Sequence, residues 1–253
     1  MARVYCKNCI DGINELDDNS IQCIVTSPPY NKGFTRETNT SGNHNWNGFA
    51  IKYDVYNDNR PQNEYENEMI DIFSSLYRVA KEGGSMFINH KTILKNKSAH
   101  FPKWIFSIKD WNLYQIITWD RRGASNIRKE VFFPMSELIF WFPKGKNPKT
   151  HKDRCEFKND IWSIPAERNT RHPAPFPLKL PLNCIKMATD PGDIVLDPFA
   201  GSGTTGVSAK MCDCEFIGYE LSQAYVDMAN KRIDETCIPN SGQIASLKHS
   251  REN

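Results

Sequence analysis

A short apolar segment runs directly into a glycine-rich turn at residues 193–206, DIVLDPFAGSGTTG. Asp193 to Asp197 has the pattern of a β-strand, and a helix-like run from Val207 to Met211 follows the turn. A second strand pattern covers Cys214 to Tyr219 and ends at Glu220. This order of strand, glycine turn, helix, strand and acid is typical of an adenosine-type cofactor site, where glycines admit the ligand and the acid accepts from ribose hydroxyls. The segment therefore predicts an α/β fold.

A second turn, Thr26-Ser27-Pro28-Pro29-Tyr30, follows the apolar segment Ile21 to Val25, which is typical of a buried strand. Consecutive prolines stiffen the backbone and remove two N–H donors, so we expect nearby carbonyls to lack local partners. Ser27 adds a hydroxyl and Tyr30 adds a flat ring. Such a turn suits the exocyclic amino group of a stacked base. The structural alternative is a proline-rich turn in which Tyr30 only packs.

Together the two turns resemble the signature motifs of amino-methylating DNA methyltransferases. Thr26 to Asn31 resembles the catalytic motif and Asp197 to Thr205 the cofactor motif, in the order of the permuted β class. His172 to Pro177 is similar to the family segment that packs against the methionine end of the cofactor. The resemblance extends from about Val4 to about Ile233. It implies a three-layer, Rossmann-like, mostly parallel sheet and the cofactor S-adenosyl-L-methionine.

The resemblance also implies a role for individual residues. The implied catalytic residues are Ser27, Pro28, Pro29 and Tyr30. The implied cofactor-binding residues are Asn8, Thr26, His172, Pro175, Phe176, Asp197, Pro198, Phe199, Ala200, Gly201, Ser202, Gly203, Thr204, Thr205, Glu220 and Leu221. Glu220 would hold the ribose, and Leu221 would flank the adenine. Asn8 stands where relatives usually carry Asp near the adenine amino group, so we expect a weakened contact there. Core packing is the alternative for Phe199, and a surface carboxylate is the alternative for Glu220.

The chemistry that these motifs imply is methyl transfer to an exocyclic amine. Ser27 and the Pro28 carbonyl would bind the amino hydrogens, and Tyr30 would stack on the base after it leaves the duplex. Family members with Ser before Pro-Pro-Tyr tend to modify cytosine N4, and those with Asp tend to modify adenine N6. We therefore predict a site-specific cytosine-N4 DNA methyltransferase, with adenine N6 as the alternative. An NAD-dependent oxidoreductase and a non-catalytic DNA-binding module are further alternatives.

The charge pattern favours a DNA-facing surface in one segment. The formal net charge is only +2, but twelve Lys/Arg and six Asp/Glu lie between Arg121 and Arg171. This pattern predicts a small inserted target-recognition region at 121–171, with a solvated basic face as the alternative. The candidates for phosphate or guanine contacts are Arg121, Arg122, Arg128 and Lys129. The other predicted ranges are a catalytic half at 1–120 with a mobile, lid-like loop at about 31–63, a cofactor-binding half at 172–236 and a polar tail at 237–253.

Hydrophobic periodicity predicts the remaining elements. Glu64 to Lys81 is predicted as a helix that stops at Gly83-Gly84, with the apolar stripe Tyr65, Met69, Ile72, Phe73, Leu76 and Val79. Further helices are predicted at Phe101 to Trp111, Leu178 to Ala188, and Ser222 to Ile233 with Ser222 as N-cap. Further strands are predicted at Val4 to Cys6, Ser85 to Asn89, Leu113 to Trp119 and Ser136 to Phe142.

The eight cysteines lack paired zinc-finger spacing, so we predict no metal site. Cys23 and Cys184 lie in apolar patterns and are expected in the core. We find no signal-peptide pattern and no long apolar span, which predicts reduced thiols in a cytoplasmic, DNA-associated protein of a prokaryotic or phage host, with no membrane partner. DNA is the expected partner. A homodimer and a cognate restriction nuclease are partner hypotheses that the sequence leaves open.

Overall fold

A computed structural model describes residues 2–31, 56–57, 59–95, 98–123, 132–166 and 177–237. The strands in these ranges are β1 (Ala2–Cys6), β2 (Ile21–Thr26), β3 (Ala80–His90), β4 (Ile93–Lys95), β5 (Ser98–His100), β6 (Gln115–Asp120), β7 (Ser136–Pro143), β8 (Ile161–Ser163), β9 (Ile194–Asp197) and β10 (Glu215–Glu220). The α-helices are α1 (Cys9–Asn14), α2 (Gln62–Val79), α3 (Lys179–Ala188), α4 (Thr204–Met211) and α5 (Gln223–Asp234). Short 3₁₀ turns lie at Lys103–Ser107 and Lys152–Arg154.

Eight strands form one sheet in the order β1-β10-β9-β2-β3-β7-β6-β8, and β4 pairs with β5 separately. The first five strands in this order run parallel to one another. β7 runs antiparallel to β3 and β6, and β8 is parallel to β6. The predicted mostly parallel sheet is therefore confirmed.

Helices cover both faces of this sheet because successive strand residues point to opposite sides. Cys23, Val25 and Phe87 enter a core with residues of α3, α4 and α5. Ile24 and Met86 enter a second core with residues of α1 and α2. Burial on both faces explains the nearly continuous apolar runs of the central strands. The predicted three-layer architecture is confirmed.

Helix α2 buries the six residues predicted as its apolar stripe. The prediction that Gly83-Gly84 stops this helix is wrong, because α2 ends at Val79 and β3 begins at Ala80. The two glycines lie inside β3 instead, where the pairing with β2 shifts register. Gly83 has a φ of +76°, and a Cβ on Gly84 would lie 2.9 Å from the carbonyl oxygen of Gln22. The glycines therefore serve an irregular strand.

The predicted helix from Phe101 to Trp111 is also wrong, since only Lys103–Ser107 is helical and it forms a 3₁₀ turn. Pro102 precedes the turn, and Asp110 has a φ of +67°, which a right-handed helix cannot contain. The strand predicted at Ser85 to Asn89 is found as β3 but begins five residues earlier, at Ala80. The other predicted strands and helices are found with small shifts of their ends. Ser222 is the N-cap residue of α5, but its side chain makes no capping hydrogen bond. The three-residue strands β4, β5 and β8 are too short to show a period.

Strands from the predicted catalytic half, recognition region and cofactor-binding half are neighbours in the same sheet. β1, from the predicted catalytic half, pairs with β10 of the predicted cofactor half. β7, from the predicted recognition region, lies between β3 and β6. That region supplies two strands of the sheet, β7 and β8. A recognition role for its remaining residues stays a prediction, and nearly all of the polar tail lies outside the described residues.

Within the described ranges, we find no helix with the length and apolar character that a membrane span requires. No three His, Cys, Asp or Glu side chains there are grouped to hold a metal ion. Cys23 and Cys184 are fully buried, which confirms their predicted place in the core. Burial raises the pKa of both thiols well above the usual range.

Candidate active site

The two predicted turns lie at the same edge of the sheet. β2 and β9 are parallel neighbours, with Cys23 opposite Val195 and Ile24 opposite Leu196. The chain passes from β9 through α4 to β10 on one side, and from β2 through α2 to β3 on the other. Because the connections diverge at this point, a crevice forms beyond the carboxyl ends of β2 and β9. The proline turn and the glycine turn are therefore close together in the folded chain.

Asp197 ties the two turns together. The hydroxyls of Thr26 and Thr205 donate to opposite oxygens of its carboxylate, each at 2.6 Å, and the Phe199 N–H donates to it at 3.0 Å. Its side chain is only 1% exposed. Burial raises the pKa of Asp197 to about 6, although these hydrogen bonds act in the opposite direction. Asp197 and Thr26 therefore hold the crevice in shape, and a direct contact of either with a cofactor stays a prediction.

Glycines in this turn have two structural roles: some have left-handed backbone conformations, and some allow close packing between helices. Gly201 and Gly203 have φ values of +49° and +80°. A Cβ on Gly203 would lie 2.7 Å from the Cβ of Ala229, and one on Gly206 would lie 2.5 Å from the Cδ1 of Ile233. Both clashes are with α5. Gly203 and Gly206 therefore let α4 pack on α5, and a contact of Gly203 with a cofactor stays a prediction.

Glu220 ends β10 beside the glycine turn, as predicted. Its two carboxylate oxygens accept from the backbone N–H groups of Gly201 at 3.2 Å and Ser222 at 2.9 Å. Partial burial raises the pKa of Glu220, while these backbone donors lower it. A carboxylate offers about four lone-pair sites. The backbone N–H of Leu221 also lowers the pKa of Glu220. Glu220 therefore keeps acceptor capacity for a further donor, which fits a ribose hydroxyl at this place.

Asn8 lies at the same edge of the sheet, but its side chain already accepts a hydrogen bond. Its side-chain oxygen caps α1 by accepting from the Ile10 N–H at 2.9 Å. The Lys7 N–H donates to the Glu220 carbonyl at 3.1 Å, which keeps this segment beside β10. A contact of Asn8 with an adenine amine would have to share the capping oxygen. Leu221 follows Glu220 in the chain, and the Leu221 carbonyl accepts from the Cys6 thiol at 3.5 Å.

The glycine turn has a support that sequence reasoning missed. A guanidinium nitrogen of Arg232 on α5 donates to the hydroxyls of Ser202 at 2.9 Å and Thr204 at 3.4 Å. The side of the turn nearer α2 is fixed by the Phe199 ring, which packs on Phe73 with centroids 6.1 Å apart. This contact supports the packing alternative for Phe199. Within the same turn, Pro198 follows β9 and Ala200 donates its N–H to the Tyr219 carbonyl at 2.9 Å.

In the proline turn, Ser27 and Tyr30 form a hydroxyl pair. Their oxygens are 2.8 Å apart. The Tyr30 hydroxyl also lies 3.2 Å from the Asn89 side-chain oxygen and 3.4 Å from Glu137 Oε2. Burial, followed by the negative charge of Glu137, raises the pKa of Tyr30 well above its usual range. The phenol therefore keeps its proton at neutral pH.

The carbonyls of the proline turn differ in their partners. The Tyr65 hydroxyl donates to the Pro29 carbonyl at 2.7 Å, so a residue 36 positions along the chain, rather than a local group, occupies this carbonyl. Among the residues that the structure describes, the Pro28 carbonyl has no donor. The His90 ring lies 4.3 Å from the Tyr30 ring between centroids and covers one of its faces. The Lys91 ammonium also lies over the Tyr30 ring, 5.9 Å from its centroid.

A compact charge cluster backs this turn. Glu137 Oε1 lies 3.3 Å from an Arg121 guanidinium nitrogen and 3.7 Å from Lys91 Nζ. Arg121 also lies over the Trp119 ring, 5.5 Å from its centroid, and its side chain is only 17% exposed. The predicted DNA contact of Arg121 thus competes with an ion pair in the wall of the site. No local motif links Glu137 to residue 30, which is 107 positions away, so sequence reasoning missed it.

The other predicted DNA contact in the described ranges is Arg122. It is exposed, and its Nε donates to the Ser163 hydroxyl at 2.6 Å. Contact with DNA stays a prediction for Arg121 and Arg122. His172, Pro175, Phe176, Arg128, Lys129 and most of the predicted loop at 31–63 lie outside the described residues.

A cleft of about 370 Å³ opens beside Tyr30. Its walls include the aromatic rings of Tyr65, His90 and Trp104, and basic side chains such as Lys103. The cleft therefore combines aromatic and basic surface next to Tyr30.

Comparison with known proteins agrees with this geometry. A family model described as DNA methylase, N6_N4_Mtase, matches residues 21–231. The chain is 27% identical to type II methyltransferase M.BglII of Bacillus subtilis, over 90% of this chain and 68% of that protein. It is 25% identical to DNA adenine methyltransferase YhdJ of Escherichia coli (strain K12), over 93% of this chain and 84% of that protein. The fold is similar to the PvuII cytosine-N4-specific DNA methyltransferase, with a TM-score of 0.72 and 21% identity over 96% of this chain and 90% of that one.

Proposed function

This chain belongs to the DNA methylase family N6_N4_Mtase, and we propose that it methylates the N4 amine of a cytosine flipped out of a specific DNA site. The methyl donor of the family is S-adenosyl-L-methionine. The observation that carries the proposal is the 2.6 Å hydrogen bond from Thr26 to Asp197. It joins the proline turn to the glycine turn across one crevice, as transfer between a donor and a base requires. Because the chain belongs to this family, an NAD-dependent oxidoreductase and a non-catalytic DNA-binding module are no longer candidates.

The glycine-turn side would hold the cofactor. S-adenosyl-L-methionine supplies an electrophilic methyl group on its sulfonium. Glu220 would accept from the ribose hydroxyls with the lone pairs that Gly201 and Ser222 leave. Leu221 would flank the adenine, and Asp197 would keep the turn in place from beneath. Preorganised acceptors of this kind need no rearrangement when the ligand arrives.

The proline-turn side would hold the base. An exocyclic amine is a poor nucleophile because its lone pair is delocalised into the ring. The Ser27 hydroxyl and the free Pro28 carbonyl would accept the two amino hydrogens, which localises the lone pair on nitrogen. Tyr30 would stack on the base through the ring face that does not contact His90. Positioning and aimed dipoles, without a covalent intermediate, would supply the rate.

Ser27 is the reason to favour cytosine N4, since the family motif carries Ser there in cytosine-N4 enzymes more often than Asp. The PvuII enzyme of similar fold is cytosine-N4-specific by its description. Adenine N6 is the second candidate, because the chain is also related to the adenine enzyme YhdJ.

Mass spectrometry of nucleosides tests both candidates. DNA from a methylation-deficient host is incubated with the protein and methyl-labelled S-adenosyl-L-methionine, then digested to nucleosides. We expect labelled N4-methylcytosine. Labelled N6-methyladenine alone would overturn the cytosine proposal. Absence of any labelled nucleoside from DNA covering a whole genome would overturn the methyltransferase proposal.

Variants of the proline turn test whether it carries the chemistry. We expect Ser27→Ala and Tyr30→Ala to lose turnover while binding S-adenosyl-L-methionine in calorimetry like the wild type. Ser75→Ala is a matched control, because it removes a hydroxyl that bonds only within α2, to the Ile72 carbonyl at 2.7 Å. Equal loss of turnover and cofactor binding would contradict the assigned roles. NAD should release no heat of binding.

A further inference from the structure

We propose that Glu137 is a positioning residue that orients the Tyr30–Ser27 hydroxyl pair, so that Ser27 presents only lone pairs to the base and the site accepts amino bases but rejects their oxo counterparts. The inference rests on the proposed function and holds for either a cytosine or an adenine target. It concerns a residue that lies on β7, far along the chain from both motifs.

The direction of the first hydrogen bond follows from the groups around Tyr30. Its hydroxyl has one proton, and its neighbours are the Asn89 side-chain oxygen at 3.2 Å, the Asn89 carbonyl at 3.4 Å and Glu137 Oε2 at 3.4 Å. The Asn89 amide nitrogen donates to the Leu138 carbonyl at 3.2 Å, which turns the amide oxygen toward Tyr30. All three neighbouring oxygens only accept. If the Tyr30 proton pointed to Ser27 instead, the phenol lone pairs would face these three oxygens, so we assign the proton to the Asn89 and Glu137 side.

The direction of the second hydrogen bond follows from the first. With its own proton directed at Asn89 and Glu137, the Tyr30 oxygen can only accept from Ser27, 2.8 Å away. The Ser27 proton is then committed to Tyr30. What remains on the Ser27 oxygen is a pair of acceptor sites. These suit the hydrogens of an amino group and repel the oxygen of a carbonyl at the same position, which is discrimination by an unfavourable contact.

Glu137 is suited to enforce this order because it is a buried charge. Its side chain is 8% exposed, and Arg121 and Lys91 lie on its Oε1 side at 3.3 and 3.7 Å. Its other oxygen faces Tyr30. The two cations compensate the buried negative charge, and an ionised carboxylate cannot offer a proton. Removing it would leave Asn89 alone to hold the phenol proton and free Ser27 to rotate.

Glu137→Leu tests the proposal. We expect kcat to fall roughly 10- to 100-fold, as for a misplaced reacting group, with the KM for S-adenosyl-L-methionine unchanged. Glu137→Gln keeps an accepting oxygen and should recover most of kcat. Glu156→Leu is the matched control, since it removes an exposed carboxylate paired with Lys179 at 2.9 Å. Glu156→Leu should have the kcat and the KM of the wild type.

A selectivity measurement separates positioning from a general loss of activity. The probe is a methylatable duplex, identified by the nucleoside assay, in which the target base is replaced by its oxo counterpart, uracil for cytosine or hypoxanthine for adenine. Wild type should bind the amino duplex more tightly than the oxo duplex, and the ratio should shrink in Glu137→Leu. An unchanged ratio or an unchanged kcat overturns the inference.

Tyr30→Phe provides a second route if Glu137→Leu does not fold. It keeps the ring on His90 and removes the hydroxyl, so it should shrink the same amino-to-oxo ratio. A wild-type ratio in this variant also overturns the inference. A wild-type protein that methylates nothing refutes the proposed function instead, so the two failures are distinct.

Discussion

The buried carboxylate of Asp197 should make the protein less stable as the pH rises through its pKa. Its side chain is 1% exposed, and burial raises the pKa from the ordinary 3.8 to about 6. In the unfolded chain, Asp197 loses its proton near 3.8, so between these values the folded protein binds more protons than the unfolded one. Stability therefore falls with rising pH in this window, and the loss is complete above about pH 6.

The size of this effect follows from the two pKa values. The difference between about 6 and 3.8 is about 2 pH units, which at roughly 1.4 kcal/mol each amounts to about 3 kcal/mol. About 2 kcal/mol of it falls between pH 4.5 and pH 7, because the unfolded aspartate is already mostly ionised at pH 4.5.

Asp197→Asn removes the ionisation and keeps an oxygen that can accept from Thr26. Urea unfolding followed by tryptophan fluorescence gives the free energy of unfolding of both proteins at pH 4.5 and pH 7. We expect the stability of the wild type relative to the variant to fall by about 2 kcal/mol between these values. Asp71→Asn, at an exposed site on α2, should keep the wild-type pH dependence. A relative change below about 0.5 kcal/mol would refute the reasoning, because then the Asp197 pKa is not raised by folding.

Gly203→Ala should lower the free energy of unfolding by roughly 1–3 kcal/mol more than Gly192→Ala, because both glycines have φ near +80° but only the first clashes with Ala229; equal values in urea unfolding would contradict this. Lys144→Met should cost at least about 2 kcal/mol, since its ammonium donates to three oxygens at 2.8–2.9 Å around the end of α2. If Lys144→Met unfolded at the same urea concentration as the wild type, the stabilising role of the Lys144 ammonium would be disproved. Glu220→Gln should weaken S-adenosyl-L-methionine binding in calorimetry about tenfold or more with little effect on stability, and unchanged affinity would remove Glu220 from the cofactor site.

Local patterns predicted much of this fold correctly. The apolar stripe of α2 repeats with the helical period and is the buried face in the structure. The proline turn and the glycine turn both follow apolar strands, and parallel strands place such ends at one edge of the sheet. The juxtaposition of the two turns could therefore be predicted from sequence. Gly83-Gly84 misled because glycine serves an irregular strand as readily as a helix end.

The wall of the site could not be predicted in the same way. Glu137, Arg121 and Lys91 belong to no motif, and they meet only because β7 runs antiparallel to β3 beside Tyr30. The capping bond of Asn8 was hidden for a similar reason, since it depends on where α1 begins. The pairing of β1 with β10 joins residues more than two hundred positions apart, which no local period encodes.

The sequence alone predicted which chemical groups the two turns carry, because hydroxyl, proline, glycine and carboxylate groups are properties of the individual residues. The folded chain alone established how those groups are used. Burial and neighbours decide which donors a carboxylate meets: Asp197 accepts from two threonine hydroxyls, whereas Glu220 accepts from backbone N–H groups. They also decide which way the Tyr30 and Ser27 protons point, since the direction of a hydrogen bond depends on partners that only long-range packing brings together.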